Sequence, residues 1–232
     1  MCRAAEQCTE LGANPQSWSK FSPLAPPAWF EEQLDIFSEA VRHYVDGNRA
    51  GCMATLSSIR GDEMRDWYIE HGQMSGKHRV RLLGYPAPNE VLIDQRDTLR
   101  SPTKLQNQVF ERDGFHCRYC GIRLVSGKVL KALIQALSTK KFRRGPRNVD
   151  THGILCVFYP SADHVIPWNL GGRTNMDNLV TSCVPCNFGK DRFTTEQIGI
   201  EDPFLREPIV DSWDGLNSLL GGIRVEAKKA QN

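Results

Sequence analysis

Apolar positions recur along most of this chain with helical rather than strand spacing. Phe30, Leu34, Phe37, Val41 and Tyr44 follow one another at steps of three or four, which places them on one face of a helix that starts at Ala28 and stops at Gly47. Short helices over residues 50–59 and 62–70 follow, the second with Met64, Trp67 and Tyr68 as its apolar face. Residues 76–100, interrupted by Gly84, Pro86 and Pro88, read as a connector with a short strand at Glu90–Ile93. Ser101-Pro102 is a helix start, and Leu105, Val109 and Phe110 form the stripe of a helix that Gly114 ends. Val129, Leu130, Leu133, Ile134 and Leu137 predict another amphipathic helix, with Lys128 and Lys131 off its apolar face. The continuous run Ile154–Tyr159 reads as a buried strand, and Pro208–Leu220 as a last helix with Trp213, Leu216, Leu219 and Leu220 inward. Before Ala28 the prolines leave a loose lead that Trp18 and Phe21 tack onto the body; at the far end VEAKKAQN reads as a frayed tail.

Composition adds little to the fold but much to the choice of partner. The chain has 232 residues, is 40% apolar and carries a net charge of only +2. Its charges are unevenly distributed. Residues 1–75 hold eleven acids and six bases, whereas residues 115–149 hold nine bases and no acid. A one-sign stretch of this kind suits a polyanion, and Lys140, Lys141, Arg143, Arg144 and Arg147 are its densest part. The longest apolar run is six residues, far short of the ~20 needed to span a membrane. The start MCRAAEQCTE lacks the apolar middle of a secretory signal, so a cytoplasmic protein with reduced thiols is expected.

Reduced thiols change the meaning of the eight cysteines. Cys117-x-x-Cys120 and Cys183-x-x-Cys186 are two knuckles, each able to present two sulfurs from one tight turn, and together they fit a closed structural Zn²⁺ site. Cys2, Cys8, Cys52 and Cys156 read as buried thiols without a metal. Asn187 directly follows Cys186, so clamping the second knuckle also fixes the helix that carries Asn187 and Lys190, three residues apart on one face.

From Asp163 to Lys190 the chain holds an Asp-His pair, a Gly-Gly turn, Asn178, the second Cys pair, Asn187 and Lys190. This stretch resembles the HNH endonuclease family, in the subgroup whose Cys pairs flank the active site. The resemblance covers residues 102–200 and implies an α+β fold: a ββα-metal unit with a structural zinc site of four cysteines, preceded by a mainly helical N-terminal region. The domains expected are residues 1–100, for recognition or regulation, and residues 101–232, a nuclease domain with a basic insertion at about 122–158, a stretch that is about half as long in many relatives.

By the same resemblance, His164 is the general base, Asn178 steadies the loop and orients that base, and Asp163 and Asn187 bind a catalytic Mg²⁺ or Mn²⁺. Lys190, and less directly Arg173, would hold a phosphate. Each residue alone also has a structural reading, as a cap, a core histidine or a solvated charge; the motif as a whole is specific. The implied activity is metal-dependent hydrolysis of DNA, most simply nicking, in a setting like that of restriction or Zorya-type anti-phage nucleases, with other proteins of such a system as partners of the N-terminal region. The alternative is a non-catalytic zinc knuckle that binds DNA or a protein.

Overall fold

The computed structural model describes residues 8–86 and 88–230. Within them the fold is mainly helical with one small sheet. Helix α1 (Trp29–Val45) buries Phe30, Leu34, Phe37, Val41 and Tyr44, the face its periodicity predicts. Gly47, at φ +76°, turns the chain into α2 (Arg49–Ser58), whose first turn is capped by the Asn48 side chain on Gly51 N–H. Helix α3 (Gly61–Trp67) follows and continues as a wider turn through Gly72.

The connector differs from expectation. Ser75–Leu83 is a helix, α4, and residues 88–100 form no strand but a strap with a single 3₁₀ turn at Ile93–Gln95. Apolar periodicity misses α4 because its inward face is polar: Ser75, His78 and Arg79 are buried there. The Arg79 guanidinium lies fully enclosed over the Trp18 ring and donates to the carbonyls of Ser19, Ser22, Pro23 and Ile198. It therefore ties the N-terminal lead to the segment around Ile198. Gly76 is needed on α4 because a Cβ there would meet Gly189 O at 2.1 Å. Cys2 lies outside the described residues, and Trp18 is buried whereas Phe21 is exposed beneath Arg206.

Helix α5 (Gln106–Arg112) leads into the first knuckle, and its Arg112 donates to Met176 O and Leu179 O. Asp113, fully buried, accepts from Arg112, Arg118 and Thr181 N–H, so one carboxylate joins α5, the knuckle and the sheet. Helix α6 (Gly127–Leu137) buries Val129, Leu130, Leu133 and Leu137.

The run expected to be a strand at Ile154–Tyr159 is instead a short helix, α7 (Gly153–Val157). His152 Nδ1 accepts from Ile154 N–H at its start, and a Cβ on Gly153 would meet Gly61 O at 2.2 Å. Every residue of α7 is buried, and an apolar run buried on all sides carries no period that separates helix from strand. Strand β1 (Ser161–His164) pairs antiparallel with β2 (Leu179–Ser182), and α8 (Val184–Lys190) completes a ββα unit.

The last helix begins later than its apolar residues indicate. Asp211 and Asp214 side chains cap turns on Trp213 N–H and Ser218 N–H, and Gly215 and Leu216 both have positive φ. These turns stop a helix before α9 (Leu220–Lys229), which takes in most of the stretch read as a frayed tail.

One apolar core runs through α1, α2, α6, α7 and the ββα unit, from Phe30 and Leu34 to Val180 and Cys186. The segment 122–158 forms much of it. Phe142 stacks on Phe37 at 5.4 Å, and Arg123 forms ion pairs with Glu31 and Asp35 of α1.

Candidate active site

The two knuckles meet. The sulfurs of Cys117, Cys120, Cys183 and Cys186 lie within 4.8 Å of one another, and Cys120 and Cys183 are 3.7 Å apart. A tetrahedral Zn²⁺ with ~2.3 Å bonds sets its sulfurs about 3.8 Å apart, so this donor set fits that ion. Burial pushes the Cys183 and Cys186 thiols well up, which makes thiolates there depend on a bound cation.

From this cluster the chain reaches directly into the ββα unit. Tyr119, between the two cysteines of the first knuckle, donates its hydroxyl to Asp163 Oδ2 at 2.6 Å. Burial, and then the neighbouring carboxylate, push that phenol well above its ordinary value, so it stays a donor. Lys190 Nζ lies 3.3 Å from the same Oδ2 and donates to His164 O at 2.7 Å. Both contacts fall on Oδ2, and among the described residues Oδ1 accepts no hydrogen bond.

Lys190 is therefore corrected from the sequence reading. It is completely buried, and an ammonium enclosed behind Asp163 cannot meet a phosphate. Its place is structural, fixing the carboxylate and the end of β1.

Asp163 and His164 are neighbours on β1, where a regular strand would aim them apart. The strand ends at His164, and both line one cleft of about 500 Å³. His164 Nε2 is 2.8 Å from Thr174 Oγ1. The Thr174 hydroxyl donates to Leu99 O, so its single proton is taken and its lone pair must accept from the ring. Neutral His164 thus carries its proton on Nε2 and presents a basic Nδ1. Burial lowers the ring below its ordinary value, with Asp163 opposing and Lys190 reinforcing that shift.

Asn178 is buried and fully bonded. It accepts from Ile166 N–H at 2.8 Å and donates to Ile166 O and Arg173 O, closing the loop between the strands. A Cβ on Gly172 would meet Ile166 O at 1.8 Å, so that turn requires glycine. Asn187 sits half-exposed on α8 and is not among the residues lining the cleft.

The basic residues separate into different places. Arg173 is exposed beside Asp97, in a small depression that shares Arg96 with the His164 cleft but does not include His164 itself. Lys140, Lys141 and Arg143 line a second cleft; Arg144 lies over Tyr159, and Arg147 pairs with Asp150 at 2.7 Å. The cations that line the His164 cleft are Arg96, Arg100 and Arg192. Sequence reasoning missed the first two because they lie on the strap. It also missed Tyr119, although a polar aromatic residue inside a Cys-x-x-Cys turn was there to be read.

Residues 158–202 match the sequence model of the HNH endonuclease family. This segment is an HNH endonuclease domain. No curated protein and no solved structure matches the chain. The HNH domain is that of a nuclease, a hydrolase acting on nucleic acid, and here it contains Asp163, His164, Thr174, Asn178 and the second knuckle. The strap and the first knuckle lie outside the matched residues. No helix among the described residues is long and apolar enough to cross a membrane.

Proposed function

We propose that this chain is a metal-dependent endonuclease that hydrolyses phosphodiester bonds in DNA, one strand at a time. The observation that carries this reading is the shared cleft of Asp163 and His164, with Oδ1 of the first and Nδ1 of the second both free of protein donors among the described residues. His164 Nδ1 takes the proton of the attacking water, and its lowered basicity keeps the ring neutral and ready near neutral pH. The carboxylate of Asp163 would hold Mg²⁺ or Mn²⁺ from the cleft, and the amide oxygen of Asn187, on α8 outside the cleft lining, is the proposed second hard donor. When bound, such an ion would supply Lewis-acid stabilisation of the phosphate and of the departing oxygen. Cleavage leaves a 5′-phosphate and a 3′-hydroxyl, and a single site makes a nick.

The cation cluster at 140–147 adds backbone contacts, and residues 1–100 serve recognition or regulation. The intact thiols of the knuckles suit the cytoplasm. The proposed setting, bacterial defence against phage, rests on the resemblance alone.

The test is nicking of supercoiled plasmid over a titration of Mg²⁺ and Mn²⁺, comparing wild type with His164→Ala. Loss of a general base lowers the rate by about 10²–10⁴-fold, with the melting temperature unchanged. If the two proteins are equally inert while both bind plasmid, the chain is a zinc-knuckle binding module instead.

A further inference from the structure

The strap over residues 88–100 lies outside the matched HNH segment, yet it is bonded to the loop that follows β1 along most of its length. Val91 N–H donates to Asn169 O at 3.0 Å, and Asn169 Nδ2 donates to Glu90. Trp168 Nε1–H donates to Asp97 O, while Asp97 Oδ2 accepts from Thr174 N–H, both at 2.8 Å. The strap ends on two groups that face the site. Leu99 O takes the Thr174 proton, which commits Thr174 to accept from His164 Nε2. Arg100, the next residue, lines the cleft with Asp163 and His164 and lies 5.1 Å from the Trp168 ring.

The other two arginines of the cleft are already engaged. Arg96 donates to Val91 O and pairs with Glu90, and Arg192 pairs with Glu90 at 3.6 Å. Among the described residues Arg100 forms no ion pair and no side-chain hydrogen bond, and it is exposed. A planar cation with free N–H donors, held at the rim by an indole, matches the geometry of a phosphodiester oxygen pair.

We propose that the strap is a working part of the nuclease site: Leu99 and Thr174 position the His164 ring with Nδ1 toward the substrate, and Arg100 binds the DNA backbone phosphate there. This rests on the nuclease reading for the substrate, but the orientation of the ring stands apart from it. Thr174 is a positioning residue, because it acts only through His164. Arg100 takes the place beside the phosphate that buried Lys190 leaves open.

Two measurements on the full-length, zinc-loaded protein test the proposal. In long-range ¹H–¹⁵N correlation spectra, the two neutral histidine tautomers give opposite patterns. His164 should show the Nε2–H form in the wild type and lose that preference in Thr174→Val. Nicking by Thr174→Val should fall roughly ten- to a hundredfold, the usual effect of removing a partner that orients a reactive histidine, and Thr174→Ser should restore it. Arg100→Ala should weaken plasmid binding and reduce the slope of log affinity against log salt by about one.

An Nδ1–H tautomer in the wild type, or full activity in a folded Thr174→Val, overturns the positioning role. An unchanged salt slope in Arg100→Ala overturns the phosphate contact. If wild type does not nick at all, the nuclease reading fails, while the tautomer and the DNA-binding slope still decide the roles of Thr174 and Arg100. Should Thr174→Val not fold, the wild-type spectrum and the Arg100 variant remain decisive.

Discussion

Two open clefts in this molecule each bring a histidine together with carboxylates and cations. The larger, about 720 Å³, lies between α2, α3 and the basic segment, with His152, Asp62, Arg65, Lys140, Lys141 and Arg143 on its walls. The smaller, about 500 Å³, holds Asp163, His164, Arg96, Arg100, Asp191 and Arg192. They share no lining residue. By size and charge the first is the more inviting.

The chemistry of the rings separates them. His152 uses Nδ1 to accept from the Ile154 N–H that starts α7, and burial drives it down to about 4. Its one basic nitrogen already serves the backbone. His164 has its Nε2 committed to Thr174, lines a cleft beside a carboxylate that is fixed from behind, and among the described residues has no hydrogen bond on Nδ1. A basic pocket with a histidine is thus no sign of hydrolysis until the partner of each ring nitrogen is known.

The comparison is broken most severely at the zinc knuckle. Cys183→Ala removes one sulfur of four, and structural zinc contributes about 10–16 kcal/mol, comparable to or larger than the ~5–15 kcal/mol by which a domain is stable. Zinc content, the cooperative melting transition and nicking should be lost together. A folded, active, zinc-free variant would show that the smaller cleft does not depend on the knuckle through Tyr119.

A second prediction concerns pH. An unfolded histidine titrates near ~6.5, whereas folded His152 does so at about 4, so between these values the unfolded chain binds more protons. The stabilisation is complete above ~6.5 and is lost as pH falls toward 4, a change of roughly 2–3 kcal/mol for this half-buried ring. His152→Asn keeps a capping side chain and should flatten that part of the curve in denaturant titrations at successive pH values, leaving nicking at neutral pH intact. A histidine essential to catalysis at this position would instead lose activity.

The smallest effect belongs to the cations of the larger cleft. Lys140 and Lys141 have no ion pair among the described residues and are exposed at its edge. Their double replacement by Ala should lower the salt slope of plasmid binding by at most about two and leave the catalytic rate at saturation unchanged. A change in that rate would join the two clefts functionally.

Periodicity was enough for α1 and α6, because each buries a continuous apolar stripe encoded at local spacing. It failed for α4, whose buried face is polar, and for α7, which is buried all round. At the site, the Asp-His pair, Asn178 and the four cysteines stood out in the sequence, since their short-range spacing is itself the signal. Lys190 was visible as a residue but not in its role. Whether a lysine faces solvent or the back of a carboxylate depends on what folds over it.

By itself, the sequence determined the two Cys-x-x-Cys pairs, the HNH motif and the helices with apolar stripes, each legible from spacing along the chain, whereas the fold brought the two cysteine pairs into one cluster. Tertiary structure alone decided how the reactive groups are held. Tyr119 meets Asp163 across 44 residues, Thr174 meets Leu99 across 75, and Arg79 meets Ile198 across 119. Polar contacts at such separations have no period and no fixed spacing. They exist only because a shared apolar core brings distant segments within hydrogen-bond reach.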